Sequence, residues 1–309
     1  MDNIASAVIL PLFAILVSGY LAARLKLLPD AASEVLSRFV FVIALPSLIF
    51  TSLARISVAE FFNWQYIGTL GGGMLITFVI GAIVARRVFR NDPGSAALHA
   101  LTAMYSSTAY IGLPLVLTVF GDAARLPGII GATITGLAFA PLAIVLIEID
   151  RGRSSKALLL APLLAVMTRP PLIAIAAGLL VSSSGIQLPA PISSFFGLLG
   201  GAFVPCALFA AGLFVAGCSV RGASLEIGWL VGAKLVLHPL ITWWLAFHVF
   251  ELSPLFATVA VLQASLPSGV PVFVLAQQYG VFISRSSAAI AISTALSVLT
   301  VSVAFMLLT

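Results

Sequence analysis

Residues 268–273 read Ser-Gly-Val-Pro-Val-Phe, and residues 111–116 read Ile-Gly-Leu-Pro-Leu-Val. Each segment places a Gly-x-Pro triplet inside an apolar stretch long enough to cross a bilayer. Proline removes a backbone donor and clashes with the preceding turn, and glycine permits a bend. A membrane helix interrupted at mid-depth leaves backbone groups that must be buried in protein or face a watery cavity. Two such interruptions, one in each half of the chain, predict the substrate site of a secondary transporter.

The composition places the whole chain in a lipid bilayer. Its 309 residues are 61% hydrophobic and 8% charged, with a mean hydropathy of +1.19, whereas a soluble domain carries about 25% charged residues. The net charge of +5 does not indicate a nucleic-acid partner, because the positive residues fall in loops between apolar stretches and report topology. The cysteine spacing fits no zinc site, and we predict neither a bound metal site nor a cofactor.

Ten segments come close to the roughly 20 apolar residues that a helix needs to span a membrane. We therefore predict an all-α polytopic membrane protein, a single transmembrane unit over residues 1–309 with short loops on both faces. The predicted spans lie near residues 4–23, 35–54, 64–85, 96–119, 126–147, 168–184, 194–217, 227–249, 254–279 and 287–308.

The basic residues predict the orientation of these spans. Twelve basic residues fall on one side of the membrane. The other side holds only Arg55 and Arg125, and Lys234 falls inside a span. Since basic residues concentrate in the cytoplasm, the larger set is predicted to be cytoplasmic and both termini extracytoplasmic. That set consists of Arg24, Lys26, Arg38, Arg86, Arg87, Arg90, Arg151, Arg153, Lys156, Arg169, Arg221 and Arg285.

Ten spans divide into two sets of five, and an odd number per set gives the two halves opposite orientations. This predicts a 5+5 inverted repeat, with the first repeat at about 4–147 and the second at about 168–308. Pro46 and Pro205 lie 159 residues apart, and Gly112 and Gly269 lie 157 apart. The alternative is that prolines are simply common in membrane helices.

Several of these residues carry a family resemblance. Leu266-Pro267-Ser268-Gly269, followed by Phe273-Val274-Leu275-Ala276-Gln277-Gln278-Tyr279-Gly280 and a Ser/Ala-rich last helix, resembles the auxin efflux carrier family. The segment Gly112-Leu113-Pro114-Leu115 with Phe120-Gly121 looks like the fourth helix of that family. The resemblance extends over essentially the whole chain.

The resemblance implies the fold shared by sodium–proton antiporters and bile acid symporters. In that fold, broken helices 4 and 9 cross in a core of helices 3–5 and 8–10, beside a scaffold of helices 1, 2, 6 and 7 through which a homodimer often forms. Bacterial members are small permeases, proposed to move organic anions such as malate or malonate, which implies the bacterial inner (plasma) membrane here.

The sequence departs from the family at three places. Ser107 stands where many members have an asparagine in helix 4, and Pro271 stands where many bacterial members have an asparagine in helix 9. The long cytoplasmic loop of the plant carriers is absent. The resemblance therefore says less about substrate and coupling ion than about the fold.

Every acidic residue is predicted to lie in a loop or at the end of a span, so an intramembrane carboxylate, the usual proton carrier, is missing. Na⁺ as a coupling ion would then need backbone carbonyls, hydroxyls and amides, with Thr108, Gln263 and Ser265 as candidate ligands beside Ser107 and Ser268. The alternative is that these side chains only bond within their own helices.

Lys234 is the one cation placed within a span, and His238 follows on the same helix face. The pair is predicted either to supply positive charge near an anion or to hold span 8 to the crossing of the broken helices. The alternative is that the Lys234 side chain extends to the cytoplasmic interface. His99 and His248, near span ends, are predicted to be interfacial.

The sequence therefore predicts a secondary transporter for a small organic anion, working by alternating access around crossed, broken helices. Alternatives are a sodium-coupled carrier of another organic solute, like the bile acid symporters, or a channel or sensor. An enzyme is not expected, because the chain has no catalytic constellation. The predicted substrate-binding residues are Ser107, Gly112, Pro114, Lys234, His238, Ser268, Gly269 and Pro271.

Overall fold

A computed structural model describes residues 2–152, 167–219 and 225–308 of the chain. Within these ranges the protein is helical, and extended backbone pairs only at one isolated bridge. Three of the basic residues used for the orientation, Arg153, Lys156 and Arg221, lie outside the described residues.

The helices follow the apolar segments of the sequence. In chain order they are Asp2–Arg24, Ala32–Phe39, Val40–Ala44, Leu45–Leu53, Val58–Phe61, Trp64–Arg87, Pro93–Met104, Thr108–Gly112, Leu113–Phe120, Gly121–Ala124, Arg125–Asp150, Pro170–Ser184, Ala190–Gly201, Phe203–Gly217, Leu225–Gly232, Ala233–Leu237, His238–Trp244, Leu245–Val249, Pro254–Ala264, Val270–Tyr279 and Ile283–Leu308.

Six helical stretches in the described part of the chain are long and apolar enough to cross a membrane, and the other apolar helices are shorter. The prediction of an all-α protein with several membrane-spanning helices is confirmed, whereas the ten-span 5+5 repeat stays a prediction. The six are Ala32–Leu53, Val58–Arg87, Thr108–Asp150, Ala190–Gly217, Leu225–Val249 and Ile283–Leu308.

Three prolines within the helical stretches, Pro46, Pro114 and Pro239, follow π-helical turns. The π segments Val40–Ala44, Thr108–Gly112 and Ala233–Leu237 each end two residues before a proline. A proline inside an α-helix removes one backbone bond and clashes with the preceding turn. A π turn holds one more residue, so the chain stays helical where an α turn would be strained.

The segment Gly112-Leu113-Pro114 is one of these places, and the prediction that it breaks its helix is wrong. Gly112 has helical dihedrals, φ −68° and ψ −52°, and the helix Leu113–Phe120 follows it directly. The interruption lies earlier, at residues 105–107.

The chain divides into two compact units. Unit 1 contains Met1–Trp64, Ala109–Thr133 and Ala165–Gly217, and unit 2 contains Gln65–Thr108, Ile134–Leu164 and Cys218–Thr309. The assignment of scaffold and core helices as functional parts stays a prediction.

In unit 1 the helices Asp2–Arg24 and Phe203–Gly217 pack backbone against backbone. A Cβ atom at Gly19 would overlap the Phe209 carbonyl, and one at Gly212 would overlap the Leu16 carbonyl. Such close approach through small residues is how membrane helices associate tightly.

In unit 2, the two interrupted helices pack into one apolar core with their neighbours. Most helices of unit 2 contribute buried side chains to this core. They include Met74, Phe78, Leu98, Leu101, Met104, Leu230, Ala233, Val272, Leu275 and Ala289. This core fixes the ends of the half-helices that form the candidate site.

Candidate functional site

Two helices of unit 2 are interrupted, and the interruptions meet. The helix Pro93–Met104 ends at Tyr105, whose backbone is extended at φ −70° and ψ 107°, and helical structure resumes at Thr108. The helix Pro254–Ala264 ends before residues 265–269, and a new helix, Val270–Tyr279, begins after Gly269. The second interruption lies where the Ser268–Pro271 motif predicted it.

Residues 105–107 and 265–269 pair through their backbones, and we call this pairing the crossing. Ser106 and Ser268 form an isolated antiparallel bridge. The Ser107 N–H donates to the Pro267 carbonyl over 2.9 Å, and the Gly269 N–H donates to the Tyr105 carbonyl over 3.0 Å. Backbone groups freed by the two breaks are thus satisfied by each other, as a membrane interior requires.

Hydroxyl groups hold the crossing to the neighbouring helices. The Ser268 hydroxyl donates to the Thr102 carbonyl over 2.8 Å, and the Ser268 N–H donates to the Ser293 hydroxyl over 3.2 Å. Ser268 is 3% exposed. The N–H and the hydroxyl of Ser268 both bond to protein groups. Ser268 therefore has a structural role at the crossing.

Ser106 is a residue that the sequence reasoning missed. Its side chain is 2% exposed, and its hydroxyl has no hydrogen-bond partner within the described residues. An unpaired buried hydroxyl costs about 1–3 kcal/mol, so a ligand that accepts from it would recover that energy. The Ser106-Ser107-Thr108 run, whose hydroxyls compete with helical bonding, was the available signal.

Lys234 reaches the crossing from the π segment Ala233–Leu237. Its side chain is fully buried, with 0% exposure, and its Nζ donates to the Ala264 carbonyl over 2.6 Å. That carbonyl belongs to the last turn of Pro254–Ala264, where carbonyls lack a partner within the helix. The burial excludes the alternative in which Lys234 extends to the membrane interface, and it favours the prediction that Lys234 holds span 8 to the crossing.

His238 completes this arrangement. Its Nδ1 lies 3.2 Å from the Lys234 Nζ, and its Nε2 is buried without a partner among the described residues. The pairing follows from helical spacing, since residues four apart lie on one face.

The other predicted residues divide into three groups. Gly269 and Pro271 lie at the start of Val270–Tyr279, and Gly269 closely faces the Tyr105 ring. The Ser265 hydroxyl donates to the Val261 carbonyl of its own helix, and Gln263 accepts from the Tyr66 hydroxyl over 3.3 Å. Ser265 and Gln263 therefore both bond to protein groups. Together with the buried Thr108, they remain a predicted ion site.

Gly112 and Pro114 form the last group. Both lie within unit 1, on the helical stretch Thr108–Phe120. Their sharing one cavity with Gly269 and Pro271 stays a prediction.

A second cluster of charges lies at the beginning of these helices. Glu226 accepts from Asn91 over 2.6 Å, lies 2.9 Å from the His99 Nδ1, and pairs with Arg285 over 3.1 Å. His99 is fully buried, so its ring faces protein, and its position at the membrane interface stays a prediction. The cluster ties the loop before Pro93–Met104 to two other helices of unit 2.

The start of Pro93–Met104 is also capped. The Asp92 carboxylate accepts from the Ser95 N–H over 2.9 Å. Partial burial raises the pKa of Asp92, but hydrogen bonds from Ser95 and neighbouring backbone outweigh it, and the pKa lies below its ordinary value. The negative charge of Asp92 interacts favourably with the positive end of the helix dipole at the start of Pro93–Met104.

Comparisons with known proteins identify the family of the chain. A family model described as "Membrane transport protein" matches residues 4–305. The chain belongs to this family. This family is that of the auxin efflux carriers, so the family predicted from the sequence is confirmed. The chain is therefore a transporter and not an enzyme.

Three relatives show how far the similarity extends. A protein named "Putative malonate transporter" from Rhizobium meliloti (strain 1021) is 32% identical over 96% of this chain and 93% of its own length. An "Uncharacterized transporter" from Methanothermobacter thermautotrophicus is 30% identical over 94% of this chain and 93% of its own. The "Uncharacterized transporter YfdV" of Escherichia coli (strain K12) is 24% identical over 92% and 91%.

Proposed function

We propose that this transporter is a secondary carrier for a small organic anion, working by alternating access around the crossing. The observation that carries the proposal is the backbone pairing of residues 105–107 with residues 265–269. Interrupted helices at mid-membrane are a recurring device for binding substrate in secondary transporters. A continuous helix would place no helix N-terminus at this position.

An anion fits the polar groups around the crossing. The helix Val270–Tyr279 begins at Gly269 without a side-chain cap, and a helix N-terminus attracts negative charge through its free N–H groups and dipole. The Ser106 hydroxyl and the His238 Nε2 are buried without partners in the described residues. The Lys234 ammonium supplies positive charge at the same crossing.

A dicarboxylate is the substrate class that we favour. The relative from Rhizobium meliloti carries malonate in its name and aligns with 96% of this chain. Malonate is small and carries two carboxylates, which suits one helix terminus and one ammonium. The crossing itself does not select among small carboxylates, so the choice of malonate rests on this relative.

We further propose ten spans in the inner membrane of a bacterium. The helical stretch Thr108–Asp150 has 43 residues, which at 1.5 Å per residue is about 65 Å and twice the bilayer core. Gly121, with φ +61°, marks a turn inside it. Dividing the stretch at Gly121 and counting each interrupted helix as one span gives ten spans. We also propose a homodimer that forms through helices 1, 2, 6 and 7.

Reporter fusions test this topology. We expect a fusion after Asp92 to be cytoplasmic and a fusion after Thr309 to be extracytoplasmic, because basic residues concentrate on the side of Arg86, Arg87 and Arg90. Alkaline phosphatase and green fluorescent protein fusions at both positions give opposite activities if this is correct. Fusions at both positions on the same side of the membrane would reject the ten-span count and the inverted repeat, because seven spans are predicted between them.

Counterflow in proteoliposomes tests the function. Vesicles loaded with unlabelled malonate should accumulate labelled malonate transiently and saturably, because a carrier exposes one site alternately to each side. Protein-free vesicles are the control, and acetate and succinate as competitors measure the selectivity. Flux that rises linearly with concentration and shows no counterflow would indicate a channel, and absence of flux for all carboxylates would reject the proposal.

A further inference from the structure

Lys234 and His238 form a buried pair that has no carboxylate partner among the described residues. The interactions of the Lys234 Nζ are the 2.6 Å bond to the Ala264 carbonyl and the 3.2 Å approach to His238. Both side chains are at most 2% exposed. An uncompensated ammonium inside a membrane protein is costly, so a lysine in this position is expected to serve transport.

Other ionisable groups in the neighbouring helices are engaged elsewhere. On the helices packed against Ala233–Leu237, His99 and Arg285 each pair with Glu226. Glu226 lies eight residues before Lys234 on span 8, about 12 Å along a helix. Tyr66 bonds to Gln263, and the His248 ring packs on Trp243. Within the described residues, the pair is thus the basic group at the crossing, beside the phenol of Tyr105.

We propose that the Lys234–His238 pair carries a proton together with the substrate, which makes the protein a proton–anion symporter. The inference rests on the proposed function and names its coupling ion. It follows from geometry: two nitrogens that can hold a proton lie 3.2 Å apart, and one of them contacts the interrupted helix.

The steps of the proton balance are simple. In the loaded state the Lys234 ammonium donates to the Ala264 carbonyl and to His238 Nδ1, and its charge offsets that of the anion nearby. On release, one proton leaves the ammonium, the nitrogen keeps the electron pair of that N–H bond, and a neutral amine remains. The anion then loses its compensating charge and dissociates on the same side.

His238 provides the route for that proton. Because its Nδ1 accepts from the ammonium, the neutral ring carries its hydrogen on Nε2. The Nε2 atom has no partner in the described part of the chain, so it can pass its proton to water while Nδ1 takes the proton from Lys234. A later exchange of the ring proton from Nδ1 to Nε2 restores the starting tautomer.

The wild-type protein gives the first test, in proteoliposomes that enclose a pH-sensitive dye. External malonate should acidify the lumen beyond the change in protein-free vesicles, and an inwardly directed pH gradient should drive accumulation above equilibrium. A sodium gradient at equal pH should not. Malonate counterflow without luminal acidification and without response to the pH gradient would overturn proton coupling and leave the carrier function standing.

Substitution then locates the proton. Lys234→Arg holds a permanent charge, because guanidinium does not lose its proton in proteins. It should lower counterflow, which needs no proton release, by less than it lowers net proton-linked uptake, so the ratio of net uptake to counterflow should fall by at least about tenfold. Lys26→Arg, at an exposed lysine, is the matched control and should behave like the wild type.

His238→Gln is the second variant, in case Lys234→Arg does not fold, as judged by size-exclusion chromatography. The glutamine oxygen can accept from Lys234, but the amide cannot relay a proton. Counterflow should fall less than net proton-linked uptake, so the ratio of net uptake to counterflow should again fall by at least about tenfold. Wild-type coupling in every variant that folds would overturn the proposal, and absence of carboxylate counterflow in the wild type would reject it together with the proposed function.

Discussion

Lys234→Met should reduce malonate counterflow about 10- to 100-fold while the protein still inserts and folds. Methionine fills a similar volume, but it leaves the Ala264 carbonyl without the donor now 2.6 Å away. Methionine also removes the charge that offsets the anion, and an interaction with a charged group is worth about 1.5–3 kcal/mol. Since every 1.4 kcal/mol corresponds to about tenfold in affinity, this loss sets the expected range. Uptake is measured per mole of inserted protein over a range of malonate concentrations.

Two comparisons isolate the ammonium in this experiment. Lys26→Met removes an exposed lysine and should leave transport unchanged. Lys234→Arg should restore counterflow only in part, because guanidinium keeps the charge but is larger and differently shaped. If Lys234→Met transported malonate with the apparent affinity of the parent, the lysine would be excluded from the binding site.

Gly269→Ala should reduce transport by at least about tenfold through a steric effect. A Cβ atom at this position would lie 2.7 Å and 2.8 Å from two atoms of the Tyr105 ring. The backbone of Gly269, at φ −88° and ψ 150°, suits any residue, so contact and not strain decides the outcome. Overpacking of this kind costs about 1–3 kcal/mol, and it acts where Gly269 bonds to Tyr105.

The matched control is Gly228→Ala, because a Cβ at Gly228 meets no atom within 4 Å. It should transport like the wild type, with fluorescence-detected chromatography confirming folding of all variants. The double variant Gly269→Ala with Tyr105→Ala should recover part of the lost activity, since removing the ring removes the overlap. Wild-type activity in Gly269→Ala alone would show that the crossing tolerates displacement of the Tyr105 ring.

The fold was largely predictable because its signals are compositional. Long apolar segments and prolines fixed the helical segments, and Gly269 with Pro271 located one interruption. The other was misplaced, because Pro114 looks the same in a broken helix as after a π turn. Only the spatial pairing of Ser106 with Ser268 shows where the first helix ends.

The candidate site was only partly predictable for a related reason. Lys234 and His238 stood out because charge is rare within a span, but their contact with the Ala264 carbonyl depends on the packing of two distant helices. Ser106 went unnoticed because serine is common in membrane helices. Its unpartnered hydroxyl is a property of its surroundings, and no local pattern of residues encodes it.

The crossing has a consequence for how substrate preference evolves in this family. Its two extended segments are joined by main-chain bonds, which every residue except proline can form from its amide. Side chains at Ser106 and Ser107 can therefore be exchanged without loss of that pairing, and an asparagine can replace a serine there. We expect single substitutions at these two positions to change the polar groups beside the crossing while its main-chain bonds stay in place.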